Sequence, residues 1–92
     1  MRISKGVKNI GDFAFNYCSS IKTVTIPTSV NSIGEMAFHF CNSLSSLTVP
    51  KNVKKIGFLA FYVQNENFTI KTHKGSAAAK FAKKNDIKVK YI

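Results

Sequence analysis

A 23-residue self-similarity governs what this chain can fold into. The segment VKNIGDFAFNYCSSIKTVTIP, residues 7–27, recurs as VNSIGEMAFHFCNSLSSLTVP, residues 30–50, and begins again as VKKIGFLAF, residues 53–61. The columns Val7/Val30/Val53, Ile10/Ile33/Ile56, Gly11/Gly34/Gly57, Ala14/Ala37/Ala60 and Phe15/Phe38/Phe61 hold through three copies. Cys18/Cys41, Ile21/Leu44, Val24/Leu47, Ile26/Val49 and Pro27/Pro50 hold through two. A unit this short cannot bury its own apolar face, but stacked units put isoleucine on isoleucine and phenylalanine on phenylalanine in continuous ladders. The expected fold class is therefore a repeat solenoid.

The elements of one unit follow from residue types. Ile21, Val24 and Ile26 are apolar while Thr25 is polar, which suits a short strand with one buried face, ended by Pro27, where no further ladder donor exists. The next copy repeats this with Leu44, Leu47, Val49, Thr48 and Pro50. A second short extended piece, residues 7–10 and its copies, ends at a glycine expected to supply a backbone conformation costly for other residues. The D-F-A-F-N-Y-C stretch that follows is too short for an ordinary helix and predicts one tight helical turn, with Asp12 or Glu35 near its positive end.

The third copy departs after Phe61: Gln64 stands where cysteine is expected, and Phe68 and Ile70 are expected to reach the strand pattern two residues early, as in a terminal repeat. In the tail, Ser76 is a plausible N-cap, residues 77–84 are strong helix formers, Asn85 can end the helix, and Ile87, Val89 and Tyr91 alternate with Lys88 and Lys90. Ala78, Phe81 and Ala82 are expected to face the last coil. At the other end Ile3 stands one full period before Ile26, so residues 1–3 read as the tail of a strand and the chain is expected to start mid-repeat. The division is one domain over 1–92: a partial strand of a preceding repeat at 1–6, repeats at 7–29 and 30–52, a shortened last repeat at 53–72 and a cap at 73–92.

The core I-G-x-x-A-F-x-x-C followed by L-x-x-L-x-V-P resembles the BspA-type, or Treponema pallidum-type, leucine-rich repeats over nearly the whole chain. The resemblance implies a leucine-rich-repeat right-handed coil of short parallel strands with short helical turns, closed by a C-terminal helix-strand cap. It also implies a non-enzymatic module for adhesion at the cell surface or after secretion, with extracellular-matrix or other protein partners.

Catalytic chemistry finds little support in the residues. Cys18 and Cys41 share a column and would lie within disulfide reach on adjacent coils, yet apolar neighbours favour stacked buried thiols, and two cysteines without further ligands make no metal site. His39 and His73 are isolated, and His39 occupies a column that reads as exposed; neither has a nucleophile beside it. Asp12 and Glu35 share a column because of the repeat rather than as an acid-base pair, and the glycines are too sparse for a phosphate loop. Phe58, in the column of Asp12 and Glu35, and Tyr62 are expected to pack under the cap, with a small apolar contact patch as the alternative. No cofactor is implied. An Asn67-Phe68-Thr69 glycosylation triplet matters only on a eukaryotic secretory route.

The formal charge is +10, and it is unevenly spread. Residues 51–92 hold ten lysines against two acids, whereas residues 1–50 hold four basic and two acidic groups. Lysine without arginine or interleaved exposed aromatics is a poor signature of base readout, and a solvated face is the plainest reading. No apolar run is long enough for a membrane span. Three binding modes follow. A protein ligand would meet the outward strand positions Thr23, Thr25, Ser46, Thr48, Asn67 and Thr69. A polyanion or anionic surface would meet Lys80, Lys83, Lys84 and Lys88. An assembly role would use the uncapped N-terminal end for stacking or self-association.

Overall fold

The computed structural model describes residues 3–63 and 65–92. Strands β1 (Asn9–Ile10), β3 (Ser32–Ile33) and β5 (Lys55–Ile56) form one parallel sheet in the order β1-β3-β5. Strands β2 (Thr23–Thr25), β4 (Ser46–Thr48), β6 (Thr69–Thr72) and β7 (Lys88–Tyr91) form a second in the order β2-β4-β6-β7, and helix α1 (Ala77–Lys84) separates the last two in sequence. The chain is thus a stacked solenoid of parallel strands, closed at its C-terminal end by a helix and a strand. Of the partial strand expected over residues 1–3, residues 1 and 2 lie outside the described residues, as does Gln64. Ile3 packs half-buried against the core.

The register is the sequence period made physical. Asn9 pairs with Ser32 and Ser32 with Lys55, while Val24 pairs with Leu47 and Leu47 with Ile70. The expected two-residue advance of the last strand does not occur: β6 keeps the period of the earlier coils, and Thr72 takes the inward position of Ile26 and Val49. There it is fully buried, and its hydroxyl donates to the Val49 carbonyl at 2.8 Å and lies 3.0 Å from the Ser76 hydroxyl. A polar residue in this apolar column is tolerated because its hydrogen bonds are satisfied. Phe68, just before the strand, is buried beneath it.

The segment expected to be one tight helical turn is a run of successive tight turns with a different bonding logic. In the first coil Ala14, Asn16 and Cys18 donate to the carbonyls of Gly11, Phe13 and Phe15 within the coil. The intervening Phe13, Phe15 and Tyr17 donate instead to Glu35, Ala37 and His39 of the next coil, at 2.9, 2.7 and 2.8 Å. Met36, Phe38 and Phe40 repeat the outward pattern toward Phe58, Ala60 and Tyr62. A helix sends its interior N–H groups inward along its own axis, so this alternation excludes one. It is reached by left-handed backbone at Phe13, Tyr17, Met36, Phe40 and Leu59, with φ between 53 and 60°. Such conformations are costly for residues with a side chain, and the inter-coil bonds offset that cost. Asp12 accordingly acts as an inter-coil cap: its Oδ1 accepts from the Glu35 amide at 2.8 Å.

The repeat glycines also have another reason than the one expected. Left-handed glycines are Gly6 and Gly75, not the column Gly11/Gly34/Gly57. At Gly57 a Cβ would stand 2.5 Å from the Glu35 nitrogen and 2.6 Å from the Gly34 carbonyl carbon, so what the column requires is close approach between coils.

The cap forms where residue types predicted it. Ser76 is the N-cap of α1 and accepts from the Ala79 amide at 3.1 Å, while Asn85 is the C-cap. Ala78 and Ala82 are buried against the last coil, and Phe81 meets Phe61 edge-on at 5.3 Å, extending the ladder Phe15–Phe38–Phe61 by one ring. Among the described residues no buried side-chain nitrogen or oxygen lacks a partner. Ser76→Ala removes the cap and the partner of Thr72 together. We expect a loss of about 1–2 kcal/mol in urea unfolding, and a change below about 0.3 kcal/mol would show that the cap is not held this way.

Candidate functional site

Strand pairing sorts the outward residues of the four-stranded sheet into two rows. One runs Thr23–Ser46–Thr69–Lys88 and the other Thr25–Thr48–Lys71–Lys90. Five of the six residues expected on this face are therefore together: Thr23, Thr25, Ser46, Thr48 and Thr69. Asn67 is not. It lies in the exposed turn before β6, where its amide donates to the Asn65 Oδ1 at 3.0 Å. Its expected place beside Ser46 is taken by Thr69, and Lys71 stands beside Thr48, a placement found from the sequence by holding the period constant. The face is neutral and hydroxyl-rich over the first coils and turns basic at Lys71, Lys88 and Lys90.

The turn edge carries a feature that residue types alone understate. Phe58 is 67 % exposed and Tyr62 41 %, so neither is packed away under the cap. Together with Phe13 and Tyr17 they leave four large aromatic residues exposed along one edge. Tyr17 packs on Phe40 with centroids 5.1 Å apart, and Phe40 on Tyr62 at 5.5 Å. His39 belongs to this group rather than to open solvent: it stacks on Tyr62 at 5.5 Å and its Nδ1 lies 3.1 Å from the Asn16 Oδ1. The signal in the sequence is the accumulation of aromatic and histidine residues in the columns of residues 16 and 17.

The cap lysines divide between surfaces. Lys80, Lys83 and Lys84 are exposed on α1, whereas Lys88 stands in a strand row of the sheet. Lys88 also borders a cleft of about 610 Å³ between the last turn and the cap, floored by Phe61, Phe68, Phe81 and Ile87 and rimmed by Glu66 and Asp86. Lys80 borders a different concavity of about 690 Å³, shared with Lys51, Lys54, His73 and Lys74. Three of the four lysines expected to act as one patch thus share α1, while Lys88 stands on the sheet.

Cys18 and Cys41 are free thiols. Cys41 is buried and its Sγ donates to the Phe15 carbonyl at 2.9 Å, and burial pushes its thiol pKa above the ordinary value. A suppressed thiolate is a poor nucleophile, so Cys41 serves packing. Among the described residues no three histidine, cysteine, aspartate or glutamate side chains are grouped to hold a metal ion, and no helix is long and apolar enough to cross a membrane.

A family model described as BspA type leucine rich repeat region (6 copies) matches residues 1–88. No curated protein and no solved structure matches the chain.

Proposed function

Because the chain belongs to the BspA-type leucine-rich repeat family, whose members are generally non-enzymatic interaction or adhesion modules, we propose that it binds a protein ligand through the outward face of its four-stranded sheet. One observation carries the choice of face. Small hydroxyl side chains stand in register over three successive strands, Thr23–Ser46–Thr69 in one row and Thr25–Thr48 in the other. Such a surface is flat, has little side-chain entropy to lose, and offers both donors and acceptors to a partner. A face of this kind gives complementarity rather than large anchors, so affinity for a single array should be modest.

A second reading rests on the aromatic edge. Exposed Phe13, Tyr17, Phe58 and Tyr62 supply the ring types that most often anchor protein interfaces, and a row of them is unusual on a free surface. Both readings are tested together on an immobilised extracellular-matrix protein preparation. The triple variant Thr25→Glu, Thr48→Glu, Thr69→Glu should reduce binding by at least about tenfold if the sheet is the contact face, since several unpaired charges would be buried. Tyr17→Ser with Phe58→Ser and Tyr62→Ser should leave it within about threefold. The reverse pattern moves the site to the turn edge, and no binding by the parent chain refutes both for this class of ligand.

A further inference from the structure

Five lysine and histidine side chains from two separate stretches of chain border one concavity of about 690 Å³. Lys51 and Lys54 come from the loop entering β5, His73 and Lys74 from the turn after β6, and Lys80 from the exposed side of α1. Lys51 and Lys74 stand one repeat period apart, and the parallel ladder sets neighbouring coils about 4.8 Å from each other. None of the chain's four carboxylate side chains borders this concavity: Asp12 and Glu35 lie in the turn column, and Glu66 and Asp86 rim the cleft on the other side of the cap. The concavity thus gathers positive charge with no carboxylate side chain on its lining, which an external anion would complement.

The concavity is broad and open, so its composition rather than its shape narrows what that anion can be. It holds no arginine, the side chain that most often reads guanine in the groove of a duplex. A single-stranded nucleic acid gains much of its affinity by stacking bases on aromatic rings, and no phenylalanine or tyrosine borders the recess; the exposed aromatics are on the turn edge. Lysine offers a point charge without a bidentate fork, which suits tetrahedral oxyanions presented singly from several directions. We infer that this concavity is a binding site for a sulfated polysaccharide, seated by Lys51, Lys54, Lys74 and Lys80 with His73 beside them. The site is distinct from the sheet face and from the lysines at the far end of α1, and it does not depend on the protein-ligand reading.

The probe is a heparin-derived decasaccharide, titrated by fluorescence anisotropy from low to physiological salt. The parent chain should bind with an affinity that falls steeply as salt rises. Lys51→Gln with Lys54→Gln and Lys74→Gln should weaken binding about tenfold or more at roughly 50 mM salt and flatten the salt dependence by about two to three charges. The control Lys83→Gln with Lys84→Gln and Lys90→Gln removes the same charge from elsewhere on the surface and should stay within about threefold of the parent. All six lysines except Lys90 lie outside strands and all six are exposed, so both variants should keep the parent circular-dichroism spectrum. Equal losses in the two variants would reduce the effect to net charge and overturn the site. A DNA duplex or an oligothymidylate bound as tightly as the decasaccharide, with the same dependence on Lys51, Lys54 and Lys74, would overturn the polysaccharide assignment.

Discussion

Phe38→Ala should lower stability by about 3–5 kcal/mol, which is a large share of the roughly 5–14 kcal/mol available to a domain of this length. Phe38 is fully buried and is held on both sides by the phenyl ladder, with Phe15 at 5.1 Å and Phe61 at 5.9 Å. Truncation leaves a void that neither neighbour can fill, because each ring is fixed by its own coil and the coils are locked by backbone bonds on either side. The site is also the middle of the array, so its loss weakens two inter-coil interfaces at once, and in a stack each coil depends on its neighbours. Urea unfolding followed by far-ultraviolet circular dichroism measures the effect. The same change at Phe15, half-buried and stacked on one side only, should cost about half as much. Equal costs at the two positions, or a loss below about 1 kcal/mol at Phe38, would contradict the ladder as the main support of the core.

Gly57→Ala is expected to cost about 3 kcal/mol or more, while the identical change at Gly11 should be neutral or slightly stabilising. The two glycines occupy one repeat column, but their surroundings differ. At Gly57 the three nearest atoms to a new Cβ are all backbone of the preceding coil, at 2.5, 2.6 and 2.8 Å, so the coils themselves would have to part. Parting them strains the bond from the Gly57 amide to the Ile33 carbonyl, now 2.8 Å, and the ladder pairs beside it. At Gly11 nothing lies within 4 Å of a Cβ in this chain. Gly34 resembles Gly57: besides the Asp12 Oδ1 at 2.5 Å, the Asp12 nitrogen and the Gly11 carbonyl carbon stand 2.6 and 2.7 Å from a new Cβ, so there too the coils would have to part. Thermal unfolding of the three single variants should therefore place Gly57→Ala and Gly34→Ala well below the parent and leave Gly11→Ala near it. A common shift for all three would return the column to a role in local backbone conformation.

Much of the architecture is legible in the sequence because a repeat converts a folding problem into a stacking problem. Once Val24 and Leu47, and Ile26 and Val49, recur at one constant period, parallel pairing in that register keeps their apolar side chains on the buried face. The last strand is misplaced by two residues in that reading because polar Thr72 stands in the apolar column of Ile26 and Val49. The cap is legible for a local reason: Ser76, a run of alanines and lysines, and Asn85 carry their start and stop signals close together along the chain. The turn segment misleads because its spacing resembles one turn of helix, while its real determinant, alternate amides donating to the next coil, involves partners a whole repeat away. The exposure of Phe58 and Tyr62 escapes residue types for a related reason, since burial under a cap depends on where the cap's own helix comes to rest.

The amino-acid sequence by itself determined the period, the buried columns and parallel register of the first coils, and the helix that closes the array, because each depends on residue type at a repeated or adjacent position. Tertiary structure decided which lysines become neighbours, why the repeat glycines are required and which aromatic rings reach solvent. Those properties arise from how closely coils approach and where the cap settles on them. The cap lysines show the division plainly: Lys80 and Lys88 are close in sequence and suggest one patch, yet α1 leads them to different surfaces and joins Lys80 to Lys51, Lys54 and Lys74 from earlier in the chain.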